Sequence, residues 1–500
     1  MIVDLILTGI LIYILWLLLL AKPSRFPPGP PIWPFIGNIY QLRTWGPYLY
    51  KSMTEMKRRF GEVAGFFVGP NPIILVSGLD AIKEISFRED LSGRPLFFHH
   101  KMDKAVNGIL FTTGERWKEQ RRFTLRHLRD FGFGKTSMEN ITIEEIEAVF
   151  AGVDKSLEGM EKSWSKPIVV HEILGTANIN VIWHILAGRR YSFSDPYLNQ
   201  LLNYIKEVIA GNEIGGKLEL AFPKIVAMFP FLSDAMANCE KREKVKSFIK
   251  KDVQEHKKNI DIENPRDFID IYLAEKEKRK DDPGSTFTDD QLVGVGLDLF
   301  AAGYDTTFNT IVFSLLYMIL NPEVQSKVQE EMDSIIGNDR LPSFQDRDSH
   351  RLPYTEATVL EILRCSTVVP MSVPHAPLHF MKDTEFRGHV IPKNAQIFLN
   401  LYELHHDPDI WGDPQNFRPE RFLNDEGKLI RHEALIPFGI GKRSCLGESL
   451  ARNNVFLFFA CLMQRYSLRV PEGEPNPSDD PIGNITIMPK PFRVQVKKRH

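Results

Sequence analysis

The stretch Phe438-Gly439-Ile440-Gly441-Lys442-Arg443-Ser444-Cys445-Leu446-Gly447 sets a cysteine among glycines and cations. Glycine carries no Cβ, so such a loop can turn tightly and pass close to a flat ligand. Leu446, Leu450, Leu457 and Cys461 then fall on one stripe at helical spacing, which puts Cys445 at an expected helix start. There the helix dipole and unpaired N–H groups favour a thiolate, the form of cysteine that ligates iron. A cysteine in a glycine-rich loop also serves purely structural ends, and the loop by itself leaves both readings open. The chain has 4 cysteines; Cys239, Cys365 and Cys461 make no CxxC pair with each other or with Cys445 and no disulfide framework. That sets zinc aside and points to a reducing, cytosol-facing body. Glu361 and Arg364 share one helix face, a spacing that alone marks an ordinary surface pair.

The cysteine loop matches FxxGxRxCxG at every fixed position, and through it the chain resembles the cytochrome P-450 superfamily. The resemblance covers essentially the whole chain and is closest to microsomal animal enzymes that oxidise drugs, steroids and terpenoids. Gly114-Glu115-Arg116-Trp117 and Leu128-Arg129-Asp130-Phe131-Gly132 point to that branch. It implies a cytochrome P-450 fold, mainly α with small β-sheets (α+β), as a single large haem domain plus an N-terminal membrane helix. It implies haem b (iron protoporphyrin IX), with Cys445 as axial iron ligand and Phe438 and Gly441 in the cofactor loop. Trp117 and Arg121 resemble the WxxxR propionate clamp, and His375 and Arg443 match further propionate partners. A propionate-binding arginine common in animal members falls at Ala105, beside Lys104, which puts that contact in doubt.

Ala302-Gly303-Tyr304-Asp305-Thr306-Thr307 resembles the family's oxygen-activating motif. Gly303 would leave room for dioxygen, while Thr306 offers a hydroxyl and Asp305 a carboxylate for proton delivery. With Arg421 from Pro419-Glu420-Arg421-Phe422, Glu361 and Arg364 resemble the Glu-Arg-Arg triad, whose bidentate pairing locks the core behind the thiolate loop. The implied reaction inserts one atom of dioxygen into a small apolar substrate. Electrons would come from NADPH through NADPH–cytochrome P-450 reductase, with cytochrome b5 as a further donor, and the thiolate would favour O–O cleavage. A haem-thiolate isomerase and a non-catalytic haem sensor or carrier are the alternatives, and neither needs the proton relay of Thr306 and Asp305.

The same resemblance places the substrate pocket between His99–Leu110, Leu299–Thr306, Val368–Val373 and Gly483–Ile487. Phe300, Ala301, Ala302, Val368, Val369, Val373 and Ile485 make it apolar, with few formal charges beyond Asp305. Burying hydrocarbon is favourable and desolvating an unpaired ion is not, so the expected substrate is a neutral terpenoid, steroid or xenobiotic rather than a carboxylate-held fatty acid.

The elements that must position these groups are legible in part. Thr288-Asp289-Asp290-Gln291 has the form of a capping box, and its apolar pattern runs from Leu292 to Leu320 before Asn321-Pro322 stops it. Such a helix would span roughly 45 Å. Ile73–Val76 reads as a short strand, most later segments have helical period, and Asp407–Arg421 reads as coil. With 43% hydrophobic and 25% charged residues, and neither linker nor repeat, one large domain is expected over 32–500.

Ahead of it, Leu5–Ala21 is free of charge and is followed by Lys22 and Arg25. Residues 1–25 therefore read as a single-pass membrane anchor with a basic flank, which places the body on the cytosolic face of the endoplasmic reticulum membrane. A cleaved secretory signal usually has a basic start, a shorter apolar core and a small-residue cleavage site. Phe26-Pro27-Pro28-Gly29-Pro30-Pro31 reads as a stiff spacer over 26–31. A cytosolic body leaves the acceptors Asn140-Ile141-Thr142 and Asn484-Ile485-Thr486 unglycosylated. The net charge of −2 excludes a nucleic-acid binder, while Arg116, Lys118, Arg122, Arg126, Arg129 and Lys442 mark a local basic face suited to an acidic reductase.

Overall fold

The computed structural model describes residues 4, 7–12, 22, 24–95, 107–130, 136–159, 163–169, 171–210, 222, 226, 228–229, 235–378 and 382–500. Most of the anchor expected over 1–25, together with Lys104 and Ala105, lies outside them. Among the described residues no helix is long and apolar enough to cross a membrane.

Seven helices frame the interior: α1 (Gly114–Asp130), α2 (His171–Ala187), α3 (Pro196–Ala210), α4 (Ala235–Asn259), α5 (Asp289–Leu320), α6 (Pro353–Ser366) and α7 (Glu448–Arg465). Among the described residues there are nine short strands: β1 (Val63–Val68), β2 (Asn71–Val76), β3 (Thr384–Phe386), β4 (His389–Ile391), β5 (Gln396–Leu399), β6 (Tyr466–Arg469), β7 (Ile482–Gly483), β8 (Ile487–Met488) and β9 (Gln495–Lys498). β1, β2 and β5 form one sheet, with β1 antiparallel and β5 parallel to β2; the rest pair as β3–β4, β6–β9 and β7–β8. The expected mainly helical body with small sheets and the strand at Ile73–Val76 are both present.

α5 is apolar on nearly every face from Leu292 to Ile319, and a helix of that kind has to be buried. It packs against α2, α4, α6 and α7 and forms the axis of the main core. Its start is only half a capping box. Thr288 Oγ1 accepts from Gln291 N–H at 3.1 Å, but the Gln291 side chain turns away to bond the Gly108 main chain.

The proline segment also departs from expectation. It lies docked on β1, where Gly65 N–H donates to Pro28 O at 2.8 Å and Phe26 packs on Phe67 with ring centroids 5.2 Å apart. A Cβ on Gly29 would stand 1.8 Å from Gly65 O, so only glycine permits this approach. Residues 26–31, expected as a stiff spacer, thus lie along the edge of the body at β1. Asp407–Arg421 is not all coil, since it contains a helical turn at Pro408–Trp411 and leads into a 3-10 turn at Pro419–Phe422.

Candidate active site

α5, the start of α7, the 437–447 loop, residues 368–375 and the β7–β8 turn enclose a cavity of about 940 Å³. That volume lies near the upper end for a small-molecule site. A wide-open groove of about 610 Å³ beside Phe123, His127 and Ile262 gathers no comparable set of chemical groups.

Cys445 lines the cavity, and its backbone N–H donates to Phe438 O at 2.9 Å, closing the loop. α7 begins at Glu448 rather than at the cysteine. The residue is exposed on the cavity, yet the surrounding protein pushes the thiol pKa up by desolvation, against the Gly447 N–H and the Arg121 and Arg452 charges that favour the thiolate. The helix-start argument therefore supplies part of the stabilisation and not all of it. Phe438 lines the same wall, with the Arg452 guanidinium 4.8 Å from its ring centre. Gly441 does not reach the cavity surface. At φ +74° it backs onto Ser86, whose carbonyl oxygen would lie 2.2 Å from an added Cβ, so this glycine closes the loop against the body.

On the same cavity three guanidiniums converge. Arg443 stacks on Trp117 at 3.7 Å and donates to Ser92 O and Thr112 O; Arg121 donates to Ser444 O at 2.7 Å. Arg94, absent from the expected set, donates to Leu110 O, Val373 O and Pro374 O, each at 3.0 Å. Among the described residues no carboxylate pairs with any of the three. Burial, and then mutual repulsion, pushes Arg94 down to about 9 and Arg443 to about 8, and burial also lowers Arg121. His375 stands beside them with Nδ1 unpartnered, and burial and the two nearest arginines hold it neutral. Arg94 sits between Gly93 and Pro95, which reads as a turn and gives no hint of a buried cation.

Behind this wall Glu361, Arg364 and Arg421 meet with almost no exposure. Arg364 is bidentate to Glu361 at 2.8 Å through both contacts, and Arg421 Nε donates to the same carboxylate at 3.1 Å. Arg364 also donates to His405 O, while His405 Nε2 accepts from Ile436 N–H at the entry to the cysteine loop. The triad is therefore tied to the loop through a single histidine.

On α5 Thr306 Oγ1 donates to Ala302 O at 2.7 Å, and Asp305 is 1% exposed with Oδ2 unpartnered. Burial raises the Asp305 pKa. A Cβ on Gly303 would meet Ile182 of α2 at 2.6 Å, so this glycine serves helix approach as well as cavity space. Phe300 is not a wall residue: it is fully buried against Trp183 and Phe248. Ala301, Ala302, Val368, Val369, Val373 and Ile485 do line the cavity. Of the wall expected over His99–Leu110, residues 99–106 lie outside the described set, while Ile109 and Leu110 are in place.

α2, α3 and α4 add Ile182, Ile185, Leu186, Tyr204, Ile205 and Val245, and two unforeseen charged residues also line the cavity, Arg242 of α4 and Asp298 of α5. Asp298 Oδ2 accepts from Ile109 N–H at 2.6 Å and Leu110 N–H at 2.8 Å, clamping the 107–111 segment to α5. Burial lifts its carboxyl to about 6, against those N–H groups and Arg242.

The cytochrome P450 family profile matches residues 27–496. This chain belongs to the cytochrome P450 family. The protein is therefore a haem-thiolate monooxygenase, and its cofactor is haem b held by a cysteine thiolate. Farnesoate epoxidase of Bombyx mori is 35% identical over 499 residues, covering 98% of this chain and 98% of the relative. Cytochrome P450 2D26 of Mus musculus is 38% identical over 482 residues, covering 94% and 92%. Cytochrome P450 2U1 of Homo sapiens is 34% identical over 527 residues, covering 99% and 93%.

The cytochrome P450 cavity suits this cofactor on physical grounds. Among the described residues the buried Arg94 and the half-buried Arg121 and Arg443 meet no anion, a shortfall of negative charge that the two propionates of a haem would make good. A cysteine opens on the same cavity.

Proposed function

We propose that Cys445 is the axial thiolate of this cytochrome P450, with Phe438 beside it and Gly441 shaping the loop. Arg94, Trp117, Arg121, His375 and Arg443 hold the propionates. The observation that carries this reading is that Cys445 is the one cysteine on the cavity among the described residues, and it shares that cavity with three uncompensated arginines. When bound, the haem supplies the iron centre at which electrons and dioxygen meet, and a thiolate ligand there favours O–O cleavage. Thr306 and Asp305 hold protons at Oγ1 and Oδ2 on the cavity side of α5. Glu361, Arg364 and Arg421 keep the loop in place through His405.

The substrate is a neutral, largely apolar molecule of terpenoid, steroid or xenobiotic type. Aliphatic walls support this, and Asp298 is already engaged by the Ile109 and Leu110 N–H groups, so its carboxyl does not call for a cationic substrate. A relative named for farnesoate supports the terpenoid class, although farnesoate itself carries a carboxylate and so bears on the carbon skeleton alone. NADPH–cytochrome P450 reductase, with cytochrome b5 as a further donor, supplies electrons at the face of α1 where Arg122, Arg126 and Arg129 are exposed. Residues 1–25 anchor the chain in the endoplasmic reticulum membrane, and 32–500 form the cytosolic catalytic domain.

The test is a screen of the haem Soret band with sesquiterpenoids, steroids, fatty acids and their methyl esters, followed by NADPH consumption with reductase. Neutral compounds are expected to shift the band and stimulate consumption. A response to free fatty acids alone would reject the neutral-substrate reading.

A further inference from the structure

The β7–β8 hairpin brings a second polar group to the catalytic carboxylate. The hairpin packs on α5, and its turn is pinned on both sides: Asn484 Oδ1 accepts from Leu49 N–H at 2.8 Å, and Ile487 N–H donates to Val368 O at 2.9 Å. Gly483, at φ +119°, keeps the turn tight, because an added Cβ would stand 2.3 Å from Thr486 O. Within this turn Ile485 and Thr486 both line the cavity.

Asp305, Asn309 and Thr486 are 1%, 2% and 7% exposed, yet Asp305 Oδ2, Asn309 Nδ2 and Thr486 Oγ1 each lack a hydrogen-bond partner. The Thr486 hydroxyl and the Asn309 amide lie close enough to Asp305 to act on its carboxylate but form no direct bond of good geometry, and buried polar atoms are nearly always paired, so the three offer the partners that one buried water requires. Burial is the largest influence and raises the Asp305 pKa, while the Thr486 hydroxyl, the Asn309 amide and Lys206 of α3 each favour its ionised form. Tyr304 is the other titratable group that feels this carboxylate.

Building on the assignment of Thr306 and Asp305 to proton delivery, we propose that Thr486 is a positioning residue for that delivery. With Asn309 it holds Asp305 and one bridging water beside Thr306. Because Ile485 is its neighbour in the turn, substrate pressing on the hairpin sets how well the relay is aligned. The step is proton transfer alone. The Asp305 O–H bond breaks, the bridging water passes a proton to Thr306 Oγ1, the Thr306 proton moves on toward dioxygen, and solvent reprotonates Asp305. The electrons come from the reductase and pass through none of these groups.

Thr486→Val and Thr486→Ser in the haem-loaded full chain test this. The valine variant is expected to keep the thiolate-type ferrous carbonyl band and the substrate-induced Soret shift. It should release several-fold more peroxide per NADPH and show a changed solvent isotope effect, while the serine variant behaves as the parent. A readout without turnover comes from infrared titration of the Asp305 carboxyl band, identified by its loss in Asp305→Asn. In the valine variant that band should persist to higher pH, because a group that stabilises the carboxylate is gone. Parental coupling and an unmoved band in Thr486→Val would overturn the inference. Thr306→Ala separates the two readings. If it uncouples and Thr486→Val does not, Thr486 alone is rejected; if it stays coupled, the relay itself is rejected.

Discussion

On its Cys445 side the cavity wall is polar and over-determined. Arg94, Arg121 and Arg443 are each fixed by main-chain carbonyls, and the loop is braced from behind by Glu361, Arg364, Arg421 and His405. The opposite wall is mostly aliphatic and is assembled from α2, α3, α4, α5 and the β7–β8 turn. The two walls differ in what a substitution does. Breaking a buried charge network leaves a partner uncompensated, whereas exchanging aliphatic groups of similar volume usually costs less than about 1.5 kcal/mol. One wall is therefore built to hold a single chemistry, and the other to let substrate choice vary without loss of the fold.

The contrast breaks first at Glu361. Removing one partner of a buried ion pair costs about 3–5 kcal/mol, so Glu361→Leu is expected to lower Tm sharply and abolish haem incorporation. A Tm close to that of the parent would erase the distinction between the walls. A smaller effect belongs to Asp298, the main acidic group of the far wall besides Asp305. Its folded pKa, near 6, lies above the usual 3.8, so the protonated form is the one that folding favours. Its stabilising contribution is complete below about pH 4 and is lost as pH rises through 6. At about 1.4 kcal/mol per pH unit this is a cost of roughly 3 kcal/mol at neutral pH. Asp298→Asn should recover part of it, raising Tm at pH 8 more than at pH 5. A pH-independent difference would show that the carboxylate is not buried as described.

The smallest effect is on the outer surface. Lys118 and Lys442 are engaged with Glu89, and Arg116 with Asn107, which leaves Arg122, Arg126 and Arg129 as the exposed part of the expected basic face. Arg126→Glu with Arg129→Glu should slow reduction by the reductase at low salt and have little effect at high salt or on Tm. Salt-independent rates in both proteins would remove electrostatic steering from the account.

The polar wall was largely legible in the amino-acid sequence because its residues sit in dense local patterns. Cys445, Arg443, Trp117, Arg121 and the triad all occupy motifs with fixed spacing, as does Thr306 on the facing helix α5. Arg94 escaped because a single arginine in a turn has no periodicity to betray its burial. The far wall was legible only in part. Phe300 and Ala301 are neighbours on one apolar helix, and which of them meets the cavity depends on how α5 rotates against Trp183 and Phe248, a tertiary fact. Gln291 shows the same limit, since its capping role yields to the Gly108 main chain, far away in sequence. Asn484 and Thr486 form a glycosylation acceptor on paper, but both are buried, so their burial as well as the predicted topology opposes modification.

The assignment of Cys445 is tested most directly by the ferrous carbonyl spectrum. Thiolate ligation predicts the red-shifted band in the parent chain and its loss in Cys445→Ser, with Cys365→Ser and Cys461→Ala retaining it. A parent spectrum like that of a histidine-ligated haem, or a red-shifted band that survives in Cys445→Ser, would contradict the account.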